Sequence, residues 1–295
     1  MERPSLDDVR RLLSSLHSGA PIEVLEPLTG GFWSSAYGYR VGDDELVLRL
    51  GEFRDGFEAD RAAMAYASPD LPVPEVLEIG SAFGASYCVS RRFHGRFLED
   101  VTVDEVERAA PMLERLLRAL RDAPCPEASG WHDWLRSGLV DDPRAATAGW
   151  SGKLAAHPHA HDVFVRAAAR LDELLPAMPQ RSDVVHGDLL HRNVLVSPDA
   201  SRVNAVFSWK CSVIGDFLFD VAWCTFWGAT FHPGIAAVDA FGRMTADGAA
   251  GDDAALRHHC YELHIGTTHL GWYAWTGDTA GLERLAGHVE TLLDR

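Results

Sequence analysis

Residues 184–196 read VVHGDLLHRNVLV, an apolar run that delivers His186, Gly187 and Asp188 into a short polar segment, with Asn193 standing just ahead of a second apolar run. A loop held between two β-type runs can aim a carboxylate at a hydroxyl group and take its proton. An asparagine a few ångströms away can offer a neutral oxygen to a hard cation such as magnesium. The chemistry suggested is transfer of a phosphoryl group to an alcohol. His186, directly before the loop glycine, reads as a residue that holds the loop by hydrogen bonds rather than one that reacts.

The spacing supports that chemistry. Four residues separate Asp188 from Asn193, as in the protein-kinase loop H-R-D-x-x-x-x-N, where the aspartate accepts the substrate proton and the asparagine holds a metal ion. Around this loop, two β-branched runs, VLV (194–196) and VNAVF (203–207), flank a turn at Ser197-Pro198-Asp199 and predict a hairpin.

The rest of the chain divides into a β-rich and a helical part. Ser5 is a candidate N-cap for a helix over residues 5–17. From Glu23 to Leu50 the runs VLEPL, AYGYRV and ELVLRL predict a small antiparallel sheet, interrupted at Gly30-Gly31 and at Gly42-Asp43-Asp44. Phe57 to Tyr66 reads as a helix, and LPVPEVLEI and ASYCVSRRF read as further strands. After Gly95, apolar residues recur at helical spacing from Val106 to Leu120, from Val163 to Leu175 and from Leu282 to Leu292. Residues 122–130 and 141–159 have the composition of loops, and His157, His159 and His161 within the latter read as a solvated segment rather than a zinc site.

A length of 295 residues and 47% hydrophobic content suit a globular chain with substantial cores. The 27 basic and 43 acidic side chains give a formal charge of −16, which disfavours nucleic acid and anionic membranes as partners. The charge would favour a cationic small molecule, with Asp220, Asp239 and Glu262 as candidates to attract it, and acidity that only secures solubility is the alternative reading. No apolar run reaches the roughly 20 residues of a membrane span, and no signal peptide is expected. Five scattered cysteines without a C-x-x-C pair suit reduced thiols in the cytoplasm.

Several blocks now resemble one family. HGDLLHRN is similar to the H-G-D-x-x-x-x-N loop of the aminoglycoside phosphotransferase and choline kinase superfamily. The blocks LPVPEVLEIG and YCVSRRFHG look most like those of hygromycin B phosphotransferases, and IGDFLFDVAW (214–223) resembles the G-D-x-x-x-D-x-A block that follows the family's metal site. The resemblance implies an α+β, bilobal protein-kinase-like fold, with a small antiparallel-sheet N-lobe at residues 1–90 and a mainly helical catalytic and acceptor-binding C-lobe at residues 91–295. ATP or GTP with Mg2+ would sit between the lobes.

Residue by residue, the resemblance implies that Asp188 is catalytic and Asn193 a metal ligand. Arg49 stands where the family's cation contacts the α- and β-phosphates, and Asp60, ahead of Glu58, stands where a helix carboxylate pairs with it. Ser34 and Ser35 lie in TGGFWSSAY (29–37), the place of the nucleotide-covering loop, and would meet the β- and γ-phosphates. Ser90 and Arg91 would present backbone groups to the purine edge. Asp216 would form a structural pair with the catalytic loop.

At one position the sequence departs from the family. Its metal-binding aspartate, usually within I-D-W or I-D-F, aligns with Ser208 in Phe207-Ser208-Trp209. The resemblance therefore implies a kinase acting on a hydroxyl of an aminoglycoside or aminocyclitol, impaired or rearranged at its metal site through Ser208. A non-catalytic nucleotide or antibiotic binder and a kinase for another small metabolite stay open as alternatives. The expected assembly is a monomer or weak dimer.

Overall fold

A computed structural model describes residues 4–29, 31–125 and 130–295. Gly30 of the expected Gly30-Gly31 turn and residues 126–129 of the expected 122–130 loop lie outside them. The chain is α+β, as expected, with an antiparallel sheet in its N-terminal part and helices through most of its C-terminal part. It groups into two compact units, one formed by residues 1–98 and 188–212, the other by 99–187 and 213–295. This division differs from the expected 1–90 and 91–295, because the hairpin after Asp188 groups with the sheet.

In the first unit, α1 (Leu6–Leu16) begins at Ser5, whose hydroxyl accepts the Asp8 N–H at 3.2 Å. Strands β1 (Glu23–Leu28), β2 (Ser34–Val41), β3 (Asp44–Gly51), β4 (Val76–Ala82) and β5 (Ala85–Arg91) form an antiparallel sheet in the order β1-β2-β3-β5-β4. The period of two assigns each face. Tyr37, Tyr39, Leu46, Leu48, Leu50, Tyr87 and Val89 pack with Val9 and Leu13 of α1, and their alternation puts Ser34, Val47, Arg49, Cys88 and Ser90 on the opposite face. There α2 (Arg54–Ala63) adds Phe57 to a smaller core with Val76 and Cys88.

Further along the chain, β6 (Arg96–Phe97), β7 (Asp183–Val185), β8 (Val194–Val196), β9 (Val203–Val206) and β10 (Val213–Gly215) follow. In the first unit β6, β8 and β9 form a small sheet, with Val194 opposite Val206 and Leu195 opposite Phe97. The predicted hairpin is present, and its turn is longer than Ser197-Pro198-Asp199, closing with Ser197 N–H on the Arg202 carbonyl at 2.9 Å.

The second unit holds α3 (Val106–Arg121), α4 (Trp131–Ser137), α5 (Trp150–Leu154), α6 (Pro158–Leu174), α7 (Leu218–Phe231), α8 (Pro233–Ala236), α9 (Ala240–Thr245), α10 (Ala254–Thr276) and α11 (Thr279–Leu293). Its core is built around α10, which packs on α5, α6, α7 and α11. Helix α7 is buried along nearly its whole length, from Leu218 to Gly228, which explains an apolar run without amphipathic spacing. Strands β7 and β10 pair antiparallel, Val185 opposite Val213.

The loop expected over 141–159 is a correction. Two helices start inside it, α5 at Trp150 and α6 at Pro158, where the proline occupies the first turn and lacks only an N–H that no helical carbonyl would accept. His159 consequently sits on a helix, its Nδ1 2.9 Å from Glu283, and that pairing raises its pKa above the ordinary value.

Candidate active site

The loop predicted from spacing closes on itself by hydrogen bonds. The Asn193 side-chain nitrogen donates to the Asp188 carboxylate at 2.9 Å and to the Asp188 backbone carbonyl at 2.7 Å. With its nitrogen so engaged, Asn193 keeps its amide oxygen as the atom available to a ligand. The Phe207 N–H donates to the Asn193 carbonyl at 3.0 Å, which joins the loop to the segment carrying Ser208.

Upstream of Asp188, the backbone is turned by Gly187 at φ 74°, a left-handed conformation that costs glycine nothing. Both N–H groups before Asp188 are held by one buried carboxylate. Asp220 accepts from His186 at 2.7 Å and from Gly187 at 2.9 Å. This corrects two expectations. Asp216, expected to hold the loop, instead accepts from Arg257 at 2.8 Å and from the Tyr261 hydroxyl at 2.9 Å. Asp220, expected to attract a cationic acceptor, is buried and occupied as the loop anchor. Asp239 is exposed and caps α9 through the Gly242 N–H, whereas Glu262 is buried against the Thr225 hydroxyl at 2.7 Å.

Arg49 and Asp60 meet as an ion pair at 2.5 Å, with both side chains largely buried. Burial works against the Arg49 charge, and the neighbouring Asp60 carboxylate more than offsets it, so the guanidinium pKa lies above its ordinary value. The second Asp60 oxygen accepts the Trp209 N–H at 2.8 Å, one residue after Ser208. Glu58, the weaker candidate, pairs instead with Arg54 and Arg61 at the surface.

A cavity of about 300 Å³ lies within this first unit, and its lining includes Ser34, Arg49, Asp60, Ser90, Asn193 and Ser208. Arg91 and Arg192 line it too. Ser35 does not, since alternation along β2 turns its side chain to the other face. The Arg91 N–H donates to the Glu75 carbonyl at 3.0 Å, so that expected donor is used inside the sheet. Asp188 is tied to the cavity through its bonds to Asn193 rather than by lining it.

Ser208 lies beyond the end of β9, in the left-handed conformation at φ 71°, rather than within a β-run. As metal ligands, Asn193 and Ser208 supply one amide oxygen and one hydroxyl. Magnesium sites in proteins take one or two carboxylates besides the phosphates, and no group of three or more His, Cys, Asp or Glu able to hold a metal occurs among the described residues. The donor set does not fit a resident magnesium ion.

Two site residues escape sequence reasoning, and a third, Asp220, has a different role there. The His191 Nδ1 stands 2.5 Å from the second Asp188 oxygen, three residues on, with only proximity as a signal. Arg192 takes a left-handed conformation at φ 62°, with its guanidinium 5.0 Å from the Phe97 ring centre. Asp220 is legible only as the second aspartate of its block.

Residues 24–257 match the model of the APH family, described as a phosphotransferase enzyme family. The chain belongs to this phosphotransferase family. It is similar to hygromycin-B 4-O-kinase of Escherichia coli, 31% identical over 218 residues that make up 69% of this chain and 62% of that protein. It is also similar to acyl-CoA dehydrogenase family member 10 of Mus musculus, 26% identical over 74% of this chain and 22% of that protein. The chain thus spans less than two thirds of the length of either relative.

Among solved structures, a thermostable mutant of aminoglycoside phosphotransferase APH(4)-Ia, in a ternary complex with AMP-PNP and hygromycin B, superposes with a TM-score of 0.82 at 25% identity, covering 97% of this chain and 98% of that one. The GDP complex of aminoglycoside 2'-phosphotransferase-IIIa shares the fold, with a TM-score of 0.63 at 14% identity over 99% of each chain.

Proposed function

We propose that the protein transfers the γ-phosphoryl group of ATP or GTP to a hydroxyl of an aminoglycoside or aminocyclitol antibiotic, hygromycin B being the first acceptor to test. The observation that carries this reading is the Asp188–Asn193 pair at 2.9 Å. In it, a carboxylate oriented by an amide follows a backbone turn held by Asp220. Asp188 takes the acceptor proton as the hydroxyl oxygen bonds to the γ-phosphorus and the nucleoside diphosphate leaves. Arg49, buried and backed by Asp60, holds the phosphates in line. Support comes from family membership and from the nucleotide and antibiotic named in the APH(4)-Ia complex. A cytoplasmic setting belongs to the same proposal and rests on the five unpaired cysteines; no helix among the described residues is long and apolar enough to cross a membrane.

The test is a mass-shift assay with each nucleotide and a panel of aminoglycosides. A gain of one phosphoryl group on an acceptor, lost in Asp188→Asn with nucleotide binding retained, is the expected result. Equal activity in the mutant removes Asp188 from its role. The second reading, a nucleotide or antibiotic binder without turnover, is favoured by Ser208, whose hydroxyl stands where the family has a carboxylate. It gains if nucleotide binds and no acceptor in the panel gains mass.

A further inference from the structure

The lining of the cavity holds more cations than carboxylates, unlike the chain as a whole. Against a formal net charge of −16, its lining holds four arginines, Arg49, Arg91, Arg92 and Arg192, and one carboxylate, Asp60. Arg91 pairs with Asp44 and Glu75, and Arg92 with Glu26 at 2.7 Å, and none of these three acids lines the cavity. At the end where Asn193 and Ser208 lie, the cations are Arg49, shared with Asp60, and Arg192, whose guanidinium rests on the Phe97 ring. Ser208 adds no negative charge there.

An aspartate at residue 208 would repel a polyphosphate unless a cation stood between them, which makes a carboxylate site depend on its metal. With serine there the repulsion is absent, and guanidinium groups can bond phosphate oxygens directly and in pairs. A magnesium ion on the phosphates would lower the ligand's negative charge and gain no carboxylate ligand from the protein in return.

We infer that this cavity takes nucleotide as the metal-free polyphosphate anion, with Arg49 and Arg192 in place of the carboxylate and metal. The inference rests on the nucleotide-binding part of the proposed function and names the ionic form that the site selects. Ser208 and Arg192 act together in it, one by removing a negative charge and the other by supplying a positive one.

The experiment is calorimetric titration of the full chain with ATP, and with AMP-PNP, in excess magnesium and in EDTA. Binding in EDTA as tight as in magnesium, or tighter, is expected, and binding that weakens about tenfold or more on removing the metal overturns the inference. In Ser208→Asp the order should reverse, with affinity in EDTA falling about tenfold and magnesium restoring it. In Arg192→Gln metal-free binding should weaken about tenfold, with thermal unfolding confirming a folded protein. Unchanged affinity in either variant overturns the inference. Magnesium-dependent binding leaves the proposed function standing, whereas no binding under either condition removes both.

Discussion

The carboxylate of Asp60 accepts the backbone N–H of Trp209 at 2.8 Å. Through this bond a helix residue that neutralises Arg49 also fixes the segment that places Ser208, so the buried guanidinium and Ser208 share one support.

Asp60→Ala removes both contacts and leaves Arg49 buried without a counter-charge, a change that typically costs about 3–5 kcal/mol. Asp60→Asn, which keeps an oxygen for Trp209, should cost less, and both variants should bind nucleotide more weakly. Urea denaturation and nucleotide titration check this, and an alanine variant of unchanged stability would contradict the pairing.

Asp220→Asn replaces one of two acceptor oxygens with a donor that faces a backbone N–H. Hydrogen bonds to a buried charge are worth about 1.5–3 kcal/mol each, so a loss of roughly 3 kcal/mol is expected in urea. Where turnover is measurable, kcat should fall with nucleotide affinity unchanged, because the loop ahead of Asp188 loses its anchor. A fall in nucleotide affinity instead would place Asp220 in a different role.

Ser208→Asp should be accepted without loss of stability, since aspartate tolerates the left-handed conformation found there better than most residues. With magnesium present, turnover should rise about tenfold or more, one factor of ten for each 1.4 kcal/mol recovered. A stable variant with no gain in turnover would count against the carboxylate as the missing element.

His264 is buried, with Nε2 2.7 Å from the Leu135 carbonyl, and burial lowers its pKa from 6.5 to about 4. Its proton therefore binds more readily in the unfolded chain, and the stability that follows is present above pH 6.5 and lost as pH falls toward about 4. Between pH 6.5 and about 5 the loss should be about 2 kcal/mol, at 1.36 kcal/mol per pH unit. Urea titrations at both pH values, compared with His264→Gln, measure it, and identical pH dependence in the two proteins would contradict the assignment.

What was legible in the sequence was what local chemistry decides. Ser5 three residues before Asp8 gives the cap of α1, the alternation of Leu46, Leu48 and Leu50 with Val47 and Arg49 gives the two faces of β3, and the spacing of Asp188 and Asn193 gives their pairing. What depends on tertiary direction was not. Asp216 and Asp220 lie four apart in one block, and which of them reaches the loop is decided by where α7 begins and how it is buried. Ser208 directly follows the apolar run 203–207, yet β9 ends at Val206 and the backbone turns left-handed two residues later. Arg192 carries no periodic signal, and only folded coordinates place it against Phe97 and the cavity.

The first unit draws its residues from two stretches of chain, up to Leu98 and again from Asp188 to Ser212. During synthesis from the N-terminus, the sheet and α2 leave the ribosome long before Trp209, and Asp60 waits for its backbone partner until most of the protein has been made. Such long-range closure slows folding and exposes unfinished surfaces meanwhile. A fragment ending at Leu98 would hold Arg49 and Asp60 together and lack every group that this unit contributes beyond Gly187, so the part-made chain has the ion pair and not the backbone N–H that Asp60 also holds.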